Sequence, residues 1–208
     1  MRVRGLYAVT DETCCGPAGG ARIAAALAGG ARLVQLRCKD RMPPVETVAA
    51  LVALGHRFDA LVLINDDVDM AQAARADGVH IGRDDVDLAT ARRRLGAKAV
   101  IGVSCYADLT RARDLARQGA DYLAFGSFYP SRTKPHAVSA DPTLLTRARE
   151  YGKPLVAIGG IRPENGAALI AAGASALAVV DGIFGQNDIE RAARAYAQLF
   201  EETHDRKP

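Results

Sequence analysis

Eight short apolar runs alternate with amphipathic helical patterns along this chain, and small-residue turns of one style lead into several of the runs. The turns are Gly29-Gly30-Ala31, Ala76-Asp77-Gly78, Gly119-Ala120-Asp121 and Gly173-Ala174-Ser175. Strands are predicted at Arg4–Val9, Leu33–Leu36, Leu61–Ile64, Val79–Ile81, Val100–Val103, Tyr122–Phe125, Leu155–Ile158 and Leu177–Val180. Their continuous apolar character indicates burial on both faces, as in a parallel sheet. Helical periodicity covers Gly20–Leu27, Val45–Arg57, Val68–Arg75, Val86–Leu95, Leu109–Gln118, Pro142–Tyr151, Pro163–Ala171 and Ile189–Glu201. Pro142 and Pro163 suit first-turn positions, with Asp141 a candidate cap. Eight alternations point to an α/β fold, a closed (β/α)8 TIM barrel, here shorter than is typical. A doubly wound open sheet is the runner-up, but no G-x-G-x-x-G follows the first run. No linker divides the chain, so one domain over residues 1–208 is expected.

The remaining bulk properties narrow the function. With 49% hydrophobic and 25% charged residues the composition is that of an ordinary globular protein. No run is long enough to span a membrane, and the N-terminus lacks a signal-peptide layout. Net charge is +3, and its main cluster, Arg92-Arg93-Arg94, reads as a solvated helix face rather than a nucleic-acid footprint. Cys14, Cys15, Cys38 and Cys105 form no C-x-x-C pair and no zinc spacing, so reduced thiols in a cytoplasmic protein are expected.

A barrel carries its active site at the C-terminal ends of its strands, and there the apolar runs end in a chemically coherent set. Gln35, Arg37 and Lys39 share strand parity and should point to one side. Two cations aimed into a barrel mouth would grip phosphate oxygens; the competing reading is a solvated pair near Asp40. Asp66 and Asp85 follow neighbouring strands, where two carboxylates could share Mg²⁺. Asp67, Asp69, Asp84 and Asp87 compete for that role, and Asp67 or Asp84 could equally be first-turn helix residues. Asn65 should face the interior, able to read a heterocycle edge or to satisfy backbone groups, and Ser104 has the same two readings. No histidine and acid in the local sequence would make Ser104 a nucleophile.

Gly126 to Ala137 is the least core-like stretch and reads as an active-site loop, with Ser131, Arg132, Thr133 and Lys134 suited to phosphate. Gly159-Gly160 and Val180-Asp181-Gly182 end the seventh and eighth runs, where barrels build phosphate sites from backbone N–H groups. His80 reads as a packed strand residue, His56 as a helix-end residue, and His136 has no assigned role.

Taken in order, these motifs resemble the thiamine phosphate synthase family. They are Gln35-Leu-Arg-Cys-Lys39, Ile64-Asn-Asp66, Ala76-Asp-Gly-Val-His-Ile-Gly82 with Asp85, Ser131-Arg-Thr-Lys134 and Ala157-Ile-Gly-Gly-Ile161. The resemblance runs from about Gly5 to Phe184. It implies a (β/α)8 barrel that joins hydroxymethylpyrimidine diphosphate to a thiazole phosphate with Mg²⁺, releasing diphosphate. It makes Asp66 and Asp85 the metal ligands, and Arg37 and Lys39 the diphosphate cations beside Gln35. Asn65 would read the pyrimidine, while Ser104 and Lys134 would contact the pyrimidine diphosphate, Lys134 neutralising the leaving group. Ser131 and Thr133 with the intervening Arg132, then Gly159, Val180 and Asp181, would form the thiazole phosphate site. The implied path is dissociative, through a pyrimidine methylene cation, and the inventory offers anion stabilisers rather than a nucleophile.

Three departures stand out: Asp181 occupies a position where the family often has serine, Arg83 one where glutamine is common, and the stretch after Lys134 is short. A thiazole tautomerase on the same barrel would carry a histidine at the position of Ser127 and lack the second aspartate. A noncatalytic phosphate-binding protein is the remaining alternative. Small phosphorylated molecules are the expected partners, with no nucleic acid or membrane; oligomeric state is left open.

Overall fold

In a computed structural model that describes residues 3–130 and 140–205, eight parallel strands close into a barrel in sequence order. They are β1 Gly5–Val9, β2 Ala31–Leu36, β3 Leu61–Asn65, β4 Gly78–Ile81, β5 Val100–Tyr106, β6 Tyr122–Phe125, β7 Leu155–Ile158 and β8 Ala176–Val179. β1 pairs with both β2 and β8, which leaves no sheet edge. The helices are α1 Gly19–Ala28, α2 Val45–Arg57, α3 Val68–Ala73, α4 Leu88–Leu95, α5 Leu109–Arg117, α6 Thr143–Ala148, α7 Pro163–Ala172, α8 Asp181–Phe184 and α9 Ile189–Asp205. All eight expected strands and helices are present. Among the described residues the one added α-helix is the single turn α8.

Strand parity divides the core into two layers. Alternate residues such as Val34, Val62, Ile64 and Ile101 pack outward against the helices. Their neighbours Tyr7, Leu33, Leu63, Tyr122 and Val156 fill the barrel interior. Both faces are thus buried, which is why the runs read as continuously apolar.

Helix starts follow local chemistry. Asp67 caps α3 by accepting from the Met70 N–H at 2.8 Å, as its first-turn reading anticipated. Asp87, not Asp84, caps α4, accepting from Thr90 N–H at 2.9 Å; Asp84 is exposed in the preceding bend. Asp141 accepts from Thr143 N–H at 2.7 Å ahead of α6. Arg92 bonds to Asp121 at 2.5 Å and to the Ala99 carbonyl at 2.6 Å, Arg93 to Thr90 at 2.6 Å, and Arg94 to Asp69.

Two expectations are corrected. Cys15 and Cys38 form a disulfide rather than two thiols, while Cys14 and Cys105 are free and buried. The cause is local: a 3-10 turn, Glu12–Cys15, folds back over the continuation of β2. There Thr10 Oγ1 accepts from Arg37 N–H at 2.8 Å and Glu12 accepts from Lys39 N–H at 2.6 Å, setting the cysteine Cα atoms 5.8 Å apart. The stretch after β6 also begins as core, since Phe128 is 3% exposed. Its N–H donates to the Ile158 carbonyl at 3.2 Å, so this end is stitched to β7.

Candidate active site

The C-terminal ends of the strands surround a cavity of about 1640 Å³. Gln35, Arg37 and Lys39 reach it from β2, so the parity argument placed all three correctly. Asn65 and Asp66 line it from β3, Asp85 from the turn after β4, and Ser104 from β5. Gly159, Val180 and Asp181 line the side formed by β7 and β8. Ser131, Arg132, Thr133 and Lys134 lie outside the described residues.

The carboxylate pair is held by backbone. Asp66 N–H extends the β3–β4 ladder by donating to the His80 carbonyl at 2.8 Å, and Asp66 takes a left-handed φ of 60°. A non-glycine residue in that region stores strain that the surroundings must hold. Asn65 Nδ2 donates to the Asp66 carboxylate at 2.5 Å, and Gly82 N–H donates to that of Asp85 at 2.6 Å. Desolvation first, then the neighbouring Asp85 carboxyl, pushes the Asp66 pKa up to about 6, against the opposing pull of Asn65 and Arg37. A carboxylate whose ionisation its neighbour opposes forms, with that neighbour, a pair of hard-oxygen donors that a divalent cation relieves. Among the described residues, no group of three or more His, Cys, Asp or Glu side chains is assembled for a metal. The pair therefore suits an ion that keeps water and substrate oxygens, as Mg²⁺ does.

On the opposite side lies the glycine pair that follows β7. Gly159 and Gly160 take φ of 105° and 60°. A β-carbon on Gly160 would come within 2.4 Å of the Pro130 carbonyl oxygen, so the turn closes only with glycine. Asn165, in the first turn of α7, donates to the Gly160 carbonyl at 3.2 Å and fixes the turn. Asp181 opens α8 and is exposed beside these groups. Ser127, at the position where a tautomerase would carry histidine, donates its hydroxyl to the Tyr129 carbonyl at 3.0 Å.

Three lining groups, Tyr106, Tyr7 and His80, escaped the sequence reading as site residues, and so did Arg111 behind them. Tyr106, after β5, carries the Arg83 guanidinium 4.9 Å from its ring centre at the rim. Arg111 ties β5 to β4, donating to the carbonyls of Ser104 at 2.9 Å and Gly82 at 3.2 Å. Tyr7 and His80 lie at the floor; His80 is a packed residue of β4, as expected, and lines the cavity as well. Its Nε2 is 2.9 Å from Ser104 Oγ and its Nδ1 2.8 Å from the hydroxyl of Tyr122. Inward strand parity was the available signal for Tyr7 and His80, because each alternates with residues that pack outward, Leu6 and Ala8 for one and Val79 and Ile81 for the other.

Fold and site together define a phosphate-handling (β/α)8 barrel whose mouth sets paired cations against paired carboxylates. A profile of the thiamine monophosphate synthase family matches residues 6–183, and the chain belongs to that family. Thiamine-phosphate synthase of Chromobacterium violaceum is 49% identical over 201 residues, covering 96% of this chain and 97% of the relative. That of Nitrosococcus oceani is 45% identical over 210 residues, covering 99% and 97%. A solved structure of thiamine phosphate pyrophosphorylase from Pyrococcus furiosus superposes with a TM-score of 0.83 at 30% identity, covering 97% of each chain.

Proposed function

We propose that this barrel is a thiamine phosphate synthase, joining hydroxymethylpyrimidine diphosphate to a thiazole phosphate and releasing diphosphate. The observation that carries the reading is one cavity holding Arg37, Lys39, Asn65, Asp66, Asp85 and Ser104, within a chain 49% identical to a thiamine-phosphate synthase. The bond between the pyrimidine methylene carbon and the diphosphate oxygen breaks, and its electron pair leaves with diphosphate. The thiazole nitrogen lone pair then closes the new carbon–nitrogen bond.

Each residue serves one half of that exchange. Arg37 and Lys39 oppose the charge gathering on the diphosphate, and Lys134, later in the sequence than β6, would complete the set. Asn65 presents an amide to the heterocycle, with Gln35 beneath it, and Ser104 presents a hydroxyl to the diphosphate substrate. Ser131, Arg132 and Thr133 bind the thiazole phosphate together with the backbone at Gly159, Val180 and Asp181. Asp66 and Asp85 would hold Mg²⁺, which supplies further charge neutralisation to the departing diphosphate. A protein doing this chemistry on small phosphorylated substrates fits a cytoplasmic setting; among the described residues no helix is long and apolar enough to cross a membrane.

The test is diphosphate release from the two substrates with and without Mg²⁺, with mass detection of thiamine phosphate. Mg²⁺-dependent formation of both products is expected. Consumption of a thiazole phosphate isomer without thiamine phosphate would move the function to the tautomerase.

A further inference from the structure

Five polar side chains from five strands meet beneath the cavity in one continuous chain of hydrogen bonds. Gln35 Nε2 lies 2.8 Å from the Tyr7 hydroxyl, and that hydroxyl 2.8 Å from the hydroxyl of Tyr122. The Tyr122 hydroxyl lies 2.8 Å from His80 Nδ1, and His80 Nε2 lies 2.9 Å from Ser104 Oγ. The rings hold one another in place, Tyr7 edge-on to Tyr122 at 84° and His80 nearly parallel to Tyr122 at 19°. Tyr7 is 1% exposed and Tyr122 0%, where apolar side chains would cost less to bury. A polar relay retained there needs a use beyond packing.

Burial opposes charge on both phenols, raising the Tyr7 pKa to about 12 and that of Tyr122 well above its ordinary value, and each ring nitrogen of His80 meets a hydroxyl rather than a carboxylate. The relay therefore transmits hydrogen-bond direction and no charge. Each hydroxyl has one proton, and a neutral imidazole has one N–H. Only two self-consistent directions exist. With the Gln35 amide donating, Tyr7 donates to Tyr122 and Tyr122 donates to His80 Nδ1. His80 is then the Nε2–H tautomer, its proton occupies a lone pair of Ser104, and the Ser104 proton is free for the cavity. Reversal would spend the Ser104 proton on His80 and turn oxygen lone pairs toward an anionic substrate.

We propose that Tyr7, Tyr122 and His80 are positioning residues that fix Ser104 as a hydrogen-bond donor to the diphosphate substrate. The inference rests on the synthase reading, which places that substrate against Ser104.

The test joins a spectroscopic readout to a double-mutant cycle. Nitrogen-15 NMR of imidazole-labelled wild-type protein without substrate should show His80 as the Nε2–H tautomer, and Tyr122→Phe should yield a mixture. In the synthase assay Ser104→Ala should lower kcat by about 100-fold, as loss of one oriented donor does. Tyr122→Phe should lower kcat about tenfold with little change in the KM for the pyrimidine diphosphate, on the scale of a single hydrogen bond. Added to Ser104→Ala, Tyr122→Phe should cost almost nothing further, because it acts through the missing hydroxyl. His80→Gln should recover part of the activity lost in His80→Leu, since an amide can still donate to Ser104. A wild-type Nδ1–H tautomer, or losses that multiply in the double variant, would overturn the proposal. An inactive wild-type enzyme with His80 as the Nε2–H tautomer would defeat the synthase reading and leave the direction of the relay standing.

Discussion

The carboxyl group of Asp66, just past the end of β3, lies near enough to that of Asp85, which follows β4, for the second to oppose ionisation of the first. Desolvation and this neighbour together raise the Asp66 pKa from 3.8 to about 6. The folded protein therefore holds a proton on Asp66 that the unfolded chain has released, between the two pKa values. In that window stability falls as pH rises, and above about 6 the full cost of the ionised pair is present. A divalent cation removes this cost, but only where both carboxylates are ionised. Mg²⁺ should raise the melting temperature at pH 8, and the increment should shrink as pH falls through about 6. Scanning calorimetry with and without Mg²⁺ measures this. An increment independent of pH would place the ion elsewhere.

Asp66→Asn separates the metal role from folding. The amide keeps the shape, loses the charge and ends the repulsion from Asp85. Activity should fall by about 100-fold or more and lose its Mg²⁺ dependence, as removing one arm of an electrostatic stabiliser does. Without metal at pH 8 the variant should melt no lower than the wild type. Wild-type turnover in this variant would take Asp66 out of the ion's reach.

Gly102 on β5 lies directly beside Tyr122 on β6 in the sheet register. A β-carbon there would fall 1.8 Å from Tyr122 Cζ and 2.3 Å from its hydroxyl oxygen. Gly102→Ala should therefore displace the ring at the centre of the polar relay, at a cost of about 3 kcal/mol, the upper end for overpacking a core. Urea unfolding should show the loss. An unchanged midpoint would mean that the barrel interior repacks around Tyr122 far more freely than its contacts indicate.

The outline of this barrel was legible because each strand is buried on both faces and each helix on one. The cations, carboxylates and glycines were legible because strand parity and strand ends locate a barrel mouth. What stayed hidden were meetings across the chain. Tyr7 and Tyr122 are 115 residues apart, and an apolar run containing tyrosine does not say which hydroxyl it will find. The same applies to Cys15 and Cys38, whose separation of 23 residues matches no cysteine motif. Their bond follows from the 3-10 turn folding over β2, a tertiary event that spacing does not record.

That disulfide flanks the site, since Cys38 sits between Arg37 and Lys39. Closing a loop of this length should stabilise the fold by about 3 kcal/mol. Reductant, or Cys15→Ser with Cys38→Ser, should lower the urea midpoint accordingly. It should also raise the KM for the pyrimidine diphosphate, because the two cations lose a tether. Titration of four free thiols in the oxidised, folded protein would remove the bond from the account.

Asp181 puts a carboxylate beside the backbone that would bind the thiazole phosphate, at a position where the family often has serine. The side chain is exposed, so solvent screens its repulsion of a phosphate dianion, and the penalty should be near 1 kcal/mol. Asp181→Ser should then lower the KM for the thiazole phosphate about fivefold and leave the KM for the pyrimidine diphosphate unchanged, the ratio set by that energy. The benefit should shrink at high salt, where screening already hides the charge. An unchanged KM at low salt would show that the carboxylate turns away from the phosphate, and a raised one that Asp181 itself helps to bind the thiazole substrate.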